Sequence, residues 1–237
     1  MNRRHLLVLT CLLAVPVLIR LAGMARDAPP GAPHRVEAAA RADSGIALPA
    51  DLPDEVHAFL ATGRSWRAAR AMRAYLGRRD RPAPSAVLLA ARAEAGWGGW
   101  DNVRVLLEGE PWLDRVAGGE GWQLLGRALE EDREWERAAA AYAAYLRAAG
   151  AGGAGDRRVV AGLRQGLVLL RLGRVDEGTA ALERVRRHDP ALSGWAATLM
   201  AEALEDRGDT ARIRPLLDGA EQGSPARLRR AYVRAHL

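Results

Sequence analysis

There is no lysine anywhere in the 237 residues; all 35 basic residues are arginine. That excludes the lysine of a phosphate-binding loop, a Schiff-base lysine and the ATP-binding lysine of protein kinases. A single cysteine, Cys11, excludes an intrachain disulfide and any cysteine-built zinc or iron–sulfur site. The five histidines, His5, His34, His57, His188 and His236, are scattered, and no pair has metal-ligand spacing. No G-x-S-x-G nucleophile turn occurs, phenylalanine appears once (Phe59), and no sustained alternation of apolar and polar residues marks a strand. No catalytic residue, metal or cofactor is assigned on these grounds. What is present is 49% hydrophobic and 27% charged residues, a folded rather than a disordered composition.

The formal charge is +6, yet the first 25 residues hold Arg3, Arg4 and Arg20 and no acid. Beyond them 32 arginines face 29 acidic residues, interspersed as in Arg133-Glu134-Trp135-Glu136-Arg137. No stripe tracks a phosphate backbone, so no nucleic-acid partner is expected. The head Asn2-Arg3-Arg4-His5 precedes the apolar run Leu6–Ile19, and Gly23-Met24-Ala25 follows. Residues 1–25 thus have the layout of a secretory signal peptide or, if retained, an N-terminal anchor. Residues 26–49 form an Ala/Pro-rich linker with Pro29, Pro30, Pro33 and Pro49. The expectation is an exported protein, periplasmic or anchored in the inner membrane facing the periplasm, touching the membrane only through its N-terminal segment.

From residue 50 to 237 the chain reads as short amphipathic helices separated by glycine and proline. Gly63 and Gly98 lie 35 apart between helical runs, and so do Gly173 and Gly208. The wider interval between the two pairs requires a turn near Arg133 and a five-residue insertion, supplied by Gly150–Gly155. Seven residues before each turn stand Val56, Ala91, Gly126, Gly166 and Ala201; five after it stand Ala68, Val103, Ala138, Gly178 and Ile213. One helical turn further on come Met72, Leu107, Tyr142, Leu182 and Leu217. Small followed by large on one helix face makes a hole and a knob for a partner helix.

This register resembles the tetratricopeptide repeat, most clearly in Gly121–Leu129 with Trp135, Ala138 and Tyr142, and in Gly166, Leu169, Gly173, Gly178, Leu182 and Pro190. The resemblance implies an all-α solenoid of about five helix–turn–helix units. It also implies a concave face that binds a protein or peptide, and a scaffold role rather than chemistry. The first helices would line that face, which places Arg92, Gln123, Arg127 and Glu202 as partner-binding candidates. A narrower resemblance is to the N-terminal superhelix of soluble lytic transglycosylases, carried by Leu88–Trp97, Pro111–Asp114 and Gly194–Asp209. It implies a peptidoglycan-cleaving enzyme with peptidoglycan as partner, but the catalytic Glu-Ser pair of that family is absent from this chain.

Gly150–Gly155 fits G-x-G-x-x-G, with Asp176 about 20 residues on, but an Ala-rich helix precedes it where a dinucleotide fingerprint needs a strand. A loop between repeats is expected instead. Among the seven tryptophans, Trp100 and Trp135 share one register and are expected to pack, whereas Trp97 and Trp112 fall outside it and are the candidates for exposure. The run Glu130-Glu131-Asp132 is expected to be solvated. Ala226–Leu237 reads as the first helix of a sixth unit, with Leu228, Ala231, Tyr232 and Ala235 as one apolar stripe.

Overall fold

The computed structural model describes residues 49–150 and 155–218. Ten α-helices are described, with no strand among those residues. They are α1 (Asp54–Ala61), α2 (Ser65–Leu76), α3 (Pro84–Trp97), α4 (Trp100–Leu107), α5 (Glu120–Glu131), α6 (Trp135–Ala148), α7 (Gly155–Arg171), α8 (Val175–His188), α9 (Pro190–Glu205) and α10 (Thr210–Asp218). Each packs on the next in chain order, giving five helix pairs. First helices of consecutive pairs also meet directly, α3 with α5 and α7 with α9, while no two consecutive second helices approach to that extent. The layer of closer neighbours is the inside of a curve, so the odd-numbered helices line the inner face. The leader segment, the linker up to residue 48, most of the Gly150–Gly155 insertion and Ala226–Leu237 lie outside the described residues.

All five turns close in the same way. The residue in the left-handed region is Gly63, Gly98, Arg133, Gly173 or Gly208, with φ of 68°, 91°, 61°, 75° and 73°. In each, the N–H of the following residue returns to the carbonyl five positions back: Arg64 to Phe59, Gly99 to Glu94, Glu134 to Leu129, Arg174 to Leu169 and Asp209 to Leu204, at 2.8–3.0 Å. This is the Schellman closure, which satisfies carbonyls that the helix end would leave bare. Arg133 performs it without being glycine, at a steric cost of about 1–2 kcal/mol. Proline sets the other boundary: Pro84 opens α3 and Pro190 opens α9, where its missing N–H is not needed. Before α9 the Asp189 carboxylate accepts from the Leu192 N–H at 3.3 Å.

The hole-and-knob register is built as expected. Val56, Ala91, Gly126, Gly166 and Ala201 are buried, as are Met72, Leu107, Tyr142 and Leu182; the Leu217 side chain lies outside the described residues. A Cβ on Gly126 would lie 3.0–3.1 Å from the Tyr142 ring. At the α7–α8 crossing a Cβ on Gly166 would lie 2.7 Å from Leu182 Cγ, and one on Gly178 2.7 Å from Leu170 Cδ2. These glycines are where two helix backbones come closest.

The second unit departs from the pattern. Its second helix, α4, is only eight residues long, and the chain from Glu108 to Gly119 folds back as turns and one 3₁₀ turn. Trp112 and Leu113 of that loop are buried and complete the core that α4 is too short to fill. Gly121 has no room for a side chain because Leu113 occupies the space. The expectation that Trp112 is exposed is therefore corrected: a short helix leaves a gap, and burial of a large aromatic is the strongest local way to fill it.

Candidate functional site

Three buried glutamates brace the stack, and two of them, Glu120 and Glu130, do so between the first helices of the inner face. Glu94 on α3 receives Arg73 of α2 at 2.8 Å, the Trp97 indole N–H at 2.9 Å and Asn102 of α4 at 3.1 Å. Glu120 on α5 is held bidentately by Arg92 of α3, both contacts at 2.6 Å, and by Arg157 of α7 at 2.6 Å. One carboxylate thus ties three consecutive first helices. Glu130, also on α5, pairs with Arg164 of α7 at 2.9 Å and with Arg127 of its own helix at 3.7 Å. The solvated reading of Glu130 is corrected: it is buried, and only Glu131 and Asp132 of that run are exposed. Burying a carboxylate costs less when guanidinium groups take the place of the lost water, as they do around these three.

These braces perturb their neighbours. Burial pushes the Tyr142 hydroxyl well up, and the Glu130 charge adds to it. Burial pushes the Arg164 guanidinium down, but Glu130 opposes this and the net shift is upward. Arg171 is shifted downward, by burial first and by the cations Arg164 and Arg127 beside it. Arg171 makes no ion pair among the described residues; it lies over the Trp135 ring at 4.9 Å. Arg127 lies over the Trp100 ring at 5.1 Å. Each of these tryptophans opens a second helix and is covered by an arginine from the next unit's first helix, a cation–π contact between units. Both are partly buried against the core, in keeping with the packing expected of their shared register.

The four candidates now have places. Arg92 is committed to Glu120, and Arg127 is held by Glu130, Glu131 and the Trp100 face. Gln123 lies half-buried on α5 with no hydrogen bond to its side chain among the described residues. Glu202 lies half-buried on α9 and has an interaction partner. Arg92, Gln123 and Arg127 belong to neighbouring first helices, whereas Glu202 stands two units further along. Reading the sequence missed Glu94 and Glu120. The signal for Glu94 was its register: Leu129, Leu169 and Leu204 occupy the same place in later units, and all are buried.

A second set of charges runs along the edge of the turns. Arg104 on α4 reaches Glu108, Asp132 and Glu134; Arg137 reaches Glu108 and Glu134. Arg174 reaches Glu136 and Glu177, and Asp176 receives Arg207 and Arg212. The carboxyls of Glu108, Asp176 and Glu177 are held below their usual range by hydrogen bonds from Arg104, Arg207 and Arg174 respectively. Arg104–Asp132, Arg137–Glu108, Arg174–Glu136 and Arg207–Asp176 link consecutive units, but at such exposure water and salt screen them strongly. No group of three or more His, Cys, Asp or Glu among the described residues could hold a metal ion. No helix among them is long and apolar enough to cross a membrane.

The stack of helix pairs has a counterpart among solved structures. A crystal structure of nearly identical tetratricopeptide-like repeats, from a Podospora anserina protein described as a kinesin light chain, superposes with a TM-score of 0.52. The chain is a tetratricopeptide-like α-solenoid. The match covers 77% of this chain and 94% of the other, at 14% identity, so it speaks to fold. No family model and no curated protein matches. The match gives no support to the lytic transglycosylase resemblance.

Proposed function

We propose that this tetratricopeptide-like solenoid is a protein- or peptide-binding scaffold whose inner face receives its partner. The observation that carries this is a contrast on the inner face between spent and spare polar groups. Arg92, Arg157 and Arg164 are internally neutralised by Glu120 and Glu130, which makes a rigid, pre-organised wall. Within that wall Gln123 retains its amide and Arg171 retains its donors, both unused by the described residues. A rigid wall with a few unspent hydrogen-bonding groups suits an extended polypeptide, because little is lost in ordering the protein side. The N-terminal segment supports a finer reading, that the scaffold is exported and works in the bacterial cell envelope.

Two experiments test the two parts separately. A photo-crosslinking amino acid at Gln123 in the full chain should give a discrete adduct in cells, while the same group at exposed Ala140 should not. Equal labelling at both positions, or none at Gln123, rejects the inner face as the receiving surface. For the envelope reading, residues 1–50 are fused to a reporter active only outside the cytoplasm. Activity is expected because Arg3 and Arg4 hold the head inside while Leu6–Ile19 inserts; a soluble, inactive fusion rejects export and leaves the binding reading standing.

A further inference from the structure

The first unit breaks the charge pattern of the three that follow it. From Gly63 to Arg79 there are six arginines and no acidic residue. The next three second helices, α4, α6 and α8, begin with acid: Asp101, Glu136, and Asp176 with Glu177. α2 has none, and Arg64, Arg67 and Arg70 make no ion pair among the described residues. Ala68, Ala69, Met72 and Tyr75 are buried, so Trp66, Arg67, Arg70, Arg73 and Ala74 fall together on the exposed side of α2.

The aromatic part is equally unusual. Trp66 is 51% exposed and Trp97 43%, whereas Trp112 and Trp195 are buried. Trp100 and Trp135 are capped by arginines of the following unit; over Trp66 lies only Arg70 of its own helix, at 5.9 Å. The position in the second unit that matches Arg171 is Gly96, which packs on Ser65 and offers no cover. Trp97 is fixed beside the stripe because its indole N–H and Arg73 share the Glu94 carboxylate.

We propose that this stripe, Trp66, Arg67 and Arg70 with Trp97 alongside, docks on an anionic phospholipid surface. Guanidinium groups pair with lipid phosphates, and an indole with an apolar body and one N–H settles at the headgroup level. Charge complementarity selects this occupant: three unpaired cations with no acid on the helix repel a basic partner, and two exposed indoles favour an interface over water. The inference does not rest on what the inner face binds. It adds a membrane contact made by the solenoid itself to the one expected of the N-terminal segment.

The test uses the full chain with vesicles whose lipids carry bromine just below the headgroups, a quencher of nearby tryptophan fluorescence. Incorporation is matched by flotation between phosphatidylcholine vesicles and vesicles with about a quarter phosphatidylglycerol. Quenching is expected only in the anionic vesicles and should decline as salt shortens the screening length. Trp66→Phe should remove a large part of it and Trp66→Phe/Trp97→Phe the remainder. Each arginine is worth about fivefold at an anionic surface, so Arg67→Gln/Arg70→Gln should lower the docked-to-free ratio about 25-fold. Unchanged helical circular dichroism in Trp66→Phe separates loss of docking from loss of fold. Equal quenching in neutral vesicles, quenching that survives in Trp66→Phe/Trp97→Phe, or no quenching in the parent chain overturns the proposal. Binding of soluble polyglutamate or RNA with no vesicle quenching also overturns it, in favour of a soluble polyanion.

Discussion

Replacing Gly166 by alanine should destabilise the solenoid, and replacing Leu182 as well should reverse the sign of that effect. At an exposed site in a helix, glycine to alanine stabilises by about 0.5–1 kcal/mol, since glycine loses more backbone freedom. Here the new methyl group would sit 2.7 Å from Leu182 Cγ and 2.8 Å from its Cδ2. Leu182 is fully buried and cannot turn away, so the overpacking cost of about 1–3 kcal/mol wins and the net loss is about 1 kcal/mol. Leu182→Ala alone opens a cavity and costs about 2–5 kcal/mol. In that background the methyl group at position 166 no longer meets Leu182 and should stabilise by up to about 1 kcal/mol, a coupling of about 2 kcal/mol. The 3.3 Å approach of the new methyl to the Gly178 carbonyl is common to both backgrounds and cancels. Urea unfolding followed at the helical circular dichroism band reads all four chains. A Gly166→Ala effect of the same sign and size with and without Leu182 would refute the crossing argument.

Three further outcomes follow from other parts of the fold. Arg133→Gly should raise the urea midpoint, worth about 1 kcal/mol, because it relieves a left-handed arginine that makes no ion pair; a lower midpoint would mean that the side chain matters more than the backbone. Glu120→Gln should cost about 2 kcal/mol in the same assay, since it leaves Arg92 and Arg157 without their counter-charge, while Glu136→Gln on the exposed edge should cost under about 1 kcal/mol. The melting temperature should hold steady above about pH 5 and fall below it. Glu108, Asp176, Glu177 and Glu183 have lowered folded-state values, so their stabilisation is present above the ordinary carboxylate range near pH 4 and is lost as pH drops through the lower folded values. A rise in melting temperature on acidification would contradict the hydrogen-bonded carboxylates.

What could be read from the sequence was whatever repeats. The small residues from Val56 to Ala201 and the large ones from Met72 to Leu182 recur at fixed distances from each turn, and packing forced that recurrence. Even the turn at Arg133 followed from spacing, although its residue is not glycine. What could not be read was specific to one unit. Nothing local distinguishes Trp112 from an exposed tryptophan, because its burial answers the shortness of α4. Arg92 and Arg127 do point to the inner layer, but their partners Glu120 and Glu130 come from helix packing that register alone does not give. The acid-free span of α2 was visible in the sequence; whole-chain charge averaging hid it.

Because all five turns share one backbone closure, the chain can be cut at any two of them and rejoined without altering the geometry of the joint. The turns are therefore interchangeable parts, whereas the junctions between pairs are not: one is the folded-back loop from Glu108 to Gly119 and another is Asp189 before Pro190. The centre is not interchangeable. Glu120 needs an arginine from the unit before it and another from the unit after it, and Leu113 needs a glycine at position 121. Inserting or removing a unit next to the third would therefore strand a buried charge, and the same holds between the first two units, where Glu94 needs Arg73.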